Sequence, residues 1–197
     1  MESLESLKEL VEICEKCDLC KTRNNIVFGS GNINSKIVFV GEAPGKNEDE
    51  QGLPFVGRSG KLLTDIIEKG MKLKRNDVYI CNVIKCRPPN NRNPSKKEIL
   101  NCESYLEKQL NLINPDVIIA LGLHAGNTLL KQDLKMKEML GNWYKYNNID
   151  LRVIYHPSYL LRNPSAKKIV WEDVKEILKF LNKNEVGHVS ENSVQLN

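Results

Sequence analysis

Four short apolar runs, rich in β-branched residues, alternate along the chain with stretches that have the periodicity of amphipathic helices. A strand that is apolar along its whole length is typical of a parallel sheet with helices on both faces. The pattern therefore predicts an α/β fold. The predicted strands are KIVFVG (36–41), DVYICNV (77–83), DVIIALG (116–122) and LRVIYH (151–156), and the predicted helices span 58–70, 95–113, 123–131 and 166–182.

The length of 197 residues suits one domain, since a domain takes about 150 residues as a soft average. The N-terminal segment MESLESLKELVEI has apolar residues at helical spacing and an acidic start, which predicts a short amphipathic helix and not a secretory signal. The C-terminal segment EVGHVSENSVQLN lacks apolar periodicity. We expect one domain over residues 1–183 and a loose tail over 184–197.

The apolar content of the chain bears on its compartment. No stretch of the sequence approaches the roughly 20 apolar residues that cross a bilayer, so we expect a cytoplasmic protein with no membrane partner. Thiols stay reduced in the cytoplasm, and six cysteines there indicate a metal site before disulfides. The formal charge of +4 does not by itself imply a polyanionic partner.

Four of the cysteines fall into two separated groups. Cys14 and Cys17 form a C-x2-C pair, and Cys86 and Cys102 flank a Pro-rich loop and a helix start. Four thiolates from two segments suit a [4Fe-4S] cluster or a structural zinc ion. Structural zinc more often uses two tight C-x2-C pairs, so the wide second spacing favours iron–sulfur.

Two cysteines are left over by this grouping. Cys81 lies inside a predicted strand, where a cysteine is most simply a small buried hydrophobe. Cys20 lies three residues after Cys17 and could replace one of the four. The spacing alone leaves that choice open.

Ligands of open parallel sheets bind outside the carboxyl ends of the strands, so the segments that follow the strands are the candidate site. Four segments stand out in order, namely GEAPGKNED, LPFVGRSG, NVIKCRPP and HPSYLLRNP. Together with the N-terminal C-x2-C pair, they resemble the iron–sulfur uracil-DNA glycosylases of family four. The resemblance runs from Cys14 to about Leu181.

The resemblance implies a three-layer α/β/α fold with a four-stranded parallel sheet. It implies an enzyme that removes uracil from single- or double-stranded DNA, leaves an abasic site and starts base excision repair. It also implies a [4Fe-4S] cluster whose ligands are Cys14, Cys17, Cys86 and Cys102, with Cys20 and Cys81 outside the pattern. A sliding clamp is a candidate partner, and we expect a monomer.

The chemistry of base removal can be matched to three side chains. An extruded base needs a stacking platform, which the loop residue Phe55 suits, and a group that recognises its edge. Asn82 offers one acceptor and two donors, which pair with uracil N3–H and O4, whereas cytosine presents the reverse pattern. His156 follows the fourth strand and is placed to donate to uracil O2 as negative charge develops. The plainer alternatives are a loop residue over a small apolar cluster, a turn-forming Asn and a structural His.

The glycine-rich turn after the first strand adds backbone donors and carboxylates. Backbone N–H groups of Gly41, Ala43 and Gly45 are candidates to bind the base closely. In the resembling family Glu42 is the acid of the turn motif, and Glu48 is the acid that crowds the base near C5. Which carboxylate orients the attacking water stays open. The plainer alternative is a tight strand-to-helix connection.

DNA contacts are expected from helix starts and loops. The segment GRSGK (57–61) opens a predicted helix whose N–H groups suit a phosphate. In HPSYLLRNP, two leucines and an arginine suit an apolar wedge that fills the gap left by the extruded nucleotide, although adjacent leucines are usually core. The expected contacts are Ser59, Lys61, Ser158, Leu160, Leu161 and Arg162.

Two rival functions follow from the same features. One is a non-enzymatic nucleotide or damaged-DNA binding module in which the four cysteines hold structural zinc. The other is a related enzyme class that captures uracil-DNA covalently through a loop histidine, in the segment that here reads PPNNRNPSKK. That segment contains no histidine, so we expect hydrolysis by water. His124 is predicted to begin a helix, with no comparable setting in the site.

Overall fold

The four predicted strands form the parallel centre of a six-stranded sheet in a computed structural model, which describes residues 3–192. The strand order is β1-β3-β2-β4-β6-β5, and the pairings among β3, β2, β4 and β6 are parallel. The bounds are β1 Ser30–Gly31, β2 Ile37–Gly41, β3 Tyr79–Asn82, β4 Val117–Leu121, β5 Trp143–Tyr146 and β6 Ile149–Ile154.

The expected count of four strands is corrected to six, because each edge of the parallel centre carries an antiparallel strand. Strand β1 is only two residues long, too short for an alternating pattern. Strand β5 joins β6 through a tight turn in which Asn147 has a φ of 52°. Asparagine tolerates this left-handed conformation better than most residues, and the Asn-Asn pair is the one sequence signal for this hairpin.

The predicted helices are confirmed with small shifts at their ends, except that the last one extends ten residues beyond its predicted end. The segment predicted as one helix over 58–70 consists of helix α3 and a π-helical turn, Ile66–Met71. The helices are α1 Leu4–Glu12, α2 Lys46–Gln51, α3 Arg58–Asp65, α4 Lys96–Ile113, α5 Leu123–Leu130, α6 Met136–Met139, α7 Pro157–Arg162 and α8 Lys167–Asn192.

Helix α4 begins at a capping box that also anchors the loop before it. The Ser95 Oγ accepts from the Glu98 N–H, and the Glu98 carboxylate accepts from the Ser95 N–H at 2.7 Å. Arg92 donates two hydrogen bonds to the same carboxylate, at 2.6 and 2.8 Å. This guanidinium holds the pKa of Glu98 at about 2, so the loop stays tied to the helix at neutral pH.

The sheet is covered on both faces, which confirms the three-layer α/β/α architecture. Alternate residues of β2 point to opposite faces. Val38 and Val40 pack with residues of α4 and α5, whereas Ile37 and Phe39 pack with residues of α3 and α8. Helix α1 lies outside α4 and buries Leu7.

Helix α8 continues to Asn192, beyond the predicted end at residue 182. Its backbone is therefore helical over 184–192, where an irregular tail is predicted, and Leu178 and Leu181 pack against the core. Residues 193–197, the rest of that tail, lie outside the described residues. The looseness of the C-terminal segment stays a prediction.

No helix within residues 3–192 combines the length and the apolar character that crossing a bilayer requires.

Candidate active site

A cavity of about 270 Å³ opens at the carboxyl ends of β2, β3 and β6. Strand β2 has β3 on one side and β4 on the other, so the chain reverses its direction of winding here, which is where open α/β sheets bind ligands. The lining residues come from the segments predicted after the strands and from one further loop. They are Glu42, Ala43, Pro44, Gly45, Glu48, Phe55, Ser59, Asn82, Pro88, Asn91, Arg92, Asn93, His156 and Ser158.

Asn82 forms the deep wall of the cavity. It pairs with Gly41 across β3 and β2, and its side chain is 1% exposed. Its Oδ1 has no hydrogen-bond partner. A buried acceptor without a donor costs about 1–3 kcal/mol. A ligand N–H that donates to the Asn82 Oδ1 would remove this cost.

The ring of Phe55 lies against the same spot because residue 41 is a glycine. A Cβ at Gly41 would lie 2.4 Å from the Asn82 Oδ1 and 2.6 Å from the Phe55 ring. The ring centroid of Phe55 is 5.7 Å from that of His156. The three side chains predicted to stack, recognise and stabilise a base therefore surround one cavity.

The loop that carries Phe55 is strained and strongly held. Phe55 has a φ of 52°, which is uncommon for a residue with a side chain. Arg75 donates to the carbonyl oxygens of Pro54 and Phe55 at 2.8 and 3.1 Å. A Cβ at Gly60 would lie 1.9 Å from the Phe55 carbonyl oxygen, so only glycine fits there. Sequence reasoning missed Arg75, which lies 20 residues beyond Phe55 and in no motif.

Glu48 holds the same loop through the two residues that follow Phe55. Its Oε1 accepts from the backbone N–H groups of Val56 and Gly57, both at 2.9 Å. A Cβ at Gly45 would lie 2.8 Å from the Glu48 Oε2, so glycine at the start of α2 leaves room for this carboxylate. Glu48 thus lines the cavity while it fixes the loop after Phe55.

His156 precedes α7 and caps its first turn. The Ser158 N–H donates to Nδ1 at 3.1 Å, and the Ser158 Oγ lies 2.7 Å from the same atom. Because Nδ1 accepts, the proton of the neutral ring is on Nε2. Burial lowers the pKa of His156 to about 4, with a further contribution from Arg162. The ring is therefore a neutral Nε2–H donor at physiological pH.

Glu42 follows β2 and lies between two cavities. Burial raises the pKa of this carboxyl group, and the nearby His124 opposes the shift. The Nε2 of His124 lies 2.9 Å from the Asn93 Nδ2, so the start of α5 also contacts the loop before α4. His124 begins α5 as predicted, but its position beside Glu42 and Asn93 was not anticipated.

The loop over 88–93 forms a wall of the cavity that sequence reasoning missed. Asn91, Arg92 and Asn93 all line the cavity. The density of asparagines between two prolines was a usable signal, because a polar loop next to a strand end rarely serves packing alone.

The residues predicted to contact DNA lie in different settings: in the cavity, on the surface and in the core. Ser59 and Ser158 line the cavity, and Lys61 is exposed on α3. Leu161 is 38% exposed beside Arg162, but Leu160 is 1% exposed in the core beneath α7. The expected two-leucine tip is wrong for Leu160, because successive residues of a short helix point in different directions.

The four grouped cysteines surround a second, smaller cavity of about 20 Å³. Cys14, Cys17, Cys86 and Cys102 line it, whereas Cys81 is fully buried in β3. Cys20 is close enough to act electrostatically on Cys17 but does not line this cavity.

Two cations accompany these thiols. The Arg23 Nη1 lies 3.4 Å from the Cys86 Sγ and donates to the Cys14 carbonyl oxygen at 2.8 Å. Lys85 is fully buried, lines the same cavity and donates to the Asn82 carbonyl oxygen at 2.8 Å. Among the described residues no carboxylate pairs with Lys85. A buried ammonium without a counter-charge is costly, so the site suits a group that carries negative charge.

Comparison with known proteins gives one consistent result. Residues 28–175 match the model of the uracil DNA glycosylase superfamily. A type-4 uracil-DNA glycosylase of Thermotoga maritima is 47% identical, over 82% of this chain and 85% of that protein. One from Saccharolobus solfataricus is 44% identical, over 82% and 78%. One from Archaeoglobus fulgidus is 42% identical, over 94% and 96%.

The superfamily match contains the residues that line the cavity at the strand ends, and it contains Cys86 and Cys102 of the cysteine site. The similarity is high over most of the length of each protein. The chain therefore belongs to the uracil DNA glycosylase superfamily and, within it, to the type-4 uracil-DNA glycosylases.

Proposed function

We propose that the cavity at the strand ends binds the extruded uracil of DNA and that its side chains carry out the hydrolysis of the N-glycosidic bond. Uracil excision follows from the family, and the observation that supports the site is the buried, unpaired Oδ1 of Asn82. It accepts uracil N3–H while the amide group donates to O4. Cytosine has an acceptor at N3 and an amino group at C4, so both contacts become unfavourable.

Phe55 and His156 are the side chains that contact the leaving base. The Phe55 ring supplies the stacking face. As the bond between C1′ and N1 breaks, the electron pair stays on the base, and charge develops on O2. The neutral His156 donates from Nε2 to that oxygen more strongly in the transition state than in the ground state.

Glu42 is the carboxylate that the geometry favours for water. Glu48 is engaged by two backbone N–H groups, whereas no hydrogen bond joins the Glu42 side chain to another described residue. Water adds to C1′ of the oxocarbenium ion, and its proton passes to Glu42. Glu48 also lines the cavity, and its proposed role, which the family resemblance implies, is to crowd C5 and so to disfavour thymine.

The four-cysteine site suits a [4Fe-4S] cluster held by Cys14, Cys17, Cys86 and Cys102. The wide spacing of Cys86 and Cys102 favours iron–sulfur over zinc, which more often uses two tight C-x2-C pairs. Structural zinc stays the alternative. Arg23 and Lys85 would offset the negative charge of a bound cluster.

When bound, the cluster would supply a structural cross-link, since hydrolysis moves no electrons. It would join the segment after α1 to the loop after β3 and to α4. That loop leads directly to the wall over 88–93. Burial raises the pKa of Cys86 to about 11 and also raises the pKa values of Cys17 and Cys102, so binding must displace protons and weakens as pH falls.

Base release from matched oligonucleotides tests the function. We expect release of uracil from single- and double-stranded DNA, with thymine and cytosine left in place. Hypoxanthine in the same position measures how far recognition depends on the Asn82 pattern. If DNA is bound but no free base appears, the chain is a binding module instead. The chain is expected to act as a monomer, and a sliding clamp stays a candidate partner.

A further inference from the structure

A groove of about 660 Å³ adjoins the uracil cavity and has no role in the chemistry described above. The two share Glu42, His156 and Ser158 as a common wall. The groove is further lined by the end of β4, the start of α5, helix α6 and helix α7. An extruded base stays joined to its strand through the sugar, so the strand must cross the rim of the uracil cavity. The shared wall makes this groove one exit for the neighbouring nucleotide.

The groove contains an aromatic stack. The rings of Tyr155 and Tyr159 lie 4.6 Å apart at 15°. Tyr155 packs against the core, and Tyr159 is 38% exposed. Tyr155 therefore covers one face of the Tyr159 ring and leaves a flat, positioned face at the groove. Such a face suits an unstacked base of any identity.

The groove also carries cations that are free to meet phosphates. Lys135, Lys137 and Arg162 line it, and no ion pair joins any of the three to a side chain of residues 3–182. Among the described side chains, Glu42 is the one carboxylate in the lining. An aromatic platform beside unpaired cations is the arrangement by which proteins hold single-stranded nucleic acid.

We propose that this groove is a subsite for the nucleotide next to the extruded uridine, in which its base stacks on Tyr159 and its phosphates meet Lys135 and Lys137. This inference rests on the proposed function. A neighbouring base can reach Tyr159 only when it has left its own stack. The subsite therefore favours single-stranded DNA over duplex DNA.

The test uses the full chain with its cysteine site loaded and short oligonucleotides that contain 2′-fluoro-2′-deoxyuridine, which resists hydrolysis. The base on one side of that nucleotide, or on the other, is replaced by an abasic spacer. For the unmodified protein we expect Kd to rise roughly tenfold for one side only. Tyr159→Ala should bind the intact oligonucleotide roughly tenfold more weakly and should no longer respond to the spacer. Tyr159→Phe should respond as the unmodified protein does.

The lysines are tested by salt dependence. Lys135→Gln with Lys137→Gln should reduce the slope of log Kd against log salt by about 1.4 on single strands, because each phosphate contact contributes roughly 0.7. The matched control is Lys8→Gln with Lys175→Gln. It removes the same charge from α1 and α8, where each lysine pairs with a glutamate of its own helix. We expect the control slope to change less.

Three outcomes would overturn the subsite: an unmodified protein insensitive to both spacers, a Tyr159→Ala variant with full sensitivity, or equal loss by Tyr159→Ala on duplex and single strands. Thermal melting of each variant identifies any that are misfolded, and Tyr159→Phe preserves the packing. Failure of the proposed function has a different signature, because the unmodified protein would then release no uracil from any oligonucleotide. Release without coupling to Tyr159 would remove only the subsite.

Discussion

At the scale of one residue, Asn82 is expected to contribute to uracil recognition without stabilising the fold. Its Oδ1 is buried and unpaired in the free protein, so Asn82→Ala removes an unsatisfied atom and should leave the free energy of unfolding unchanged or higher. The same change leaves the uracil edge unpaired, and kcat/KM should fall between about fivefold and a few hundredfold. Denaturation and base release measured on one preparation check both parts. Asn142→Ala, an exposed position, is the control. Full activity of Asn82→Ala would exclude it from recognition.

His156 has a pH signature because its pKa is lowered to about 4 by burial. The ring is neutral throughout the range where an ordinary histidine titrates. The rate of single-turnover base release should therefore show no inflection near pH 6.5 that is due to His156. Any inflection in that range should persist in His156→Ala. His156→Ala should slow that step by about 10²–10³ and affect DNA affinity less. Equal losses in rate and affinity would make His156 a positioning residue only.

The same shift links His156 to stability. The unfolded chain binds the proton more readily than the folded chain, so the contribution is fully present above pH 6.5. It is lost as pH falls from 6.5 towards about 4. Urea denaturation between those values should show a decline that is smaller in His156→Ala. An identical decline in both proteins would mean that His156 stays accessible to protons in the folded state.

The loop between β3 and α4 decides the fate of the sugar at the scale of an element. Covalent capture needs a nucleophile near C1′, and the loop residues over 87–94 offer amides and guanidinium groups, which are poor nucleophiles at neutral pH. Arg92 is also held by the Glu98 carboxylate. We therefore expect turnover and a free abasic site. Denaturing gel electrophoresis after incubation with uracil-DNA checks this. A heat- and detergent-resistant protein–DNA band in high yield contradicts it.

The cysteine site acts at the scale of the whole molecule, because it joins segments 69 residues apart in sequence, from Cys17 to Cys86. Iron and sulfide analysis of anaerobically prepared protein should show a cluster and broad visible absorption. Cys86→Ala should lose the iron and lower the thermal stability. Cys81→Ala should keep the iron, because Cys81 lies in β3 and outside the cavity. Stoichiometric zinc without iron would identify a structural zinc site instead.

The buried cation Lys85 provides a second test of the cysteine site. Lys85 donates to the Asn82 carbonyl oxygen and to the Gln109 Oε1 at 2.8 and 2.7 Å, and it lines the cysteine cavity. It thus connects the recognition residue to the thiols. Lys85→Met should weaken iron retention against a chelator and reduce uracil release together, whereas Lys8→Met should change neither. Normal iron retention in a folded Lys85→Met variant would show that the charge is not needed.

Sequence by itself determined what depends on local pattern. Apolar runs and helical periodicity located the central strands and the main helices, because strands and helices bury residues at different spacings. Strand ends then placed Glu42, Asn82 and His156 at one edge of the sheet, since parallel strands end together. Uracil followed from the resemblance to family four, and the donors and acceptor of Asn82 are consistent with it.

Tertiary structure decided what depends on contacts distant in sequence. Only the folded chain shows that Leu160 is core, that Glu48 fixes the Phe55 loop, and that Arg75 holds the same loop. The edge strands β1 and β5 likewise pair by position and not by apolar pattern. Periodicity indicates which residues of one element are buried. These roles depend instead on which groups of other elements lie within a few ångströms of the residue.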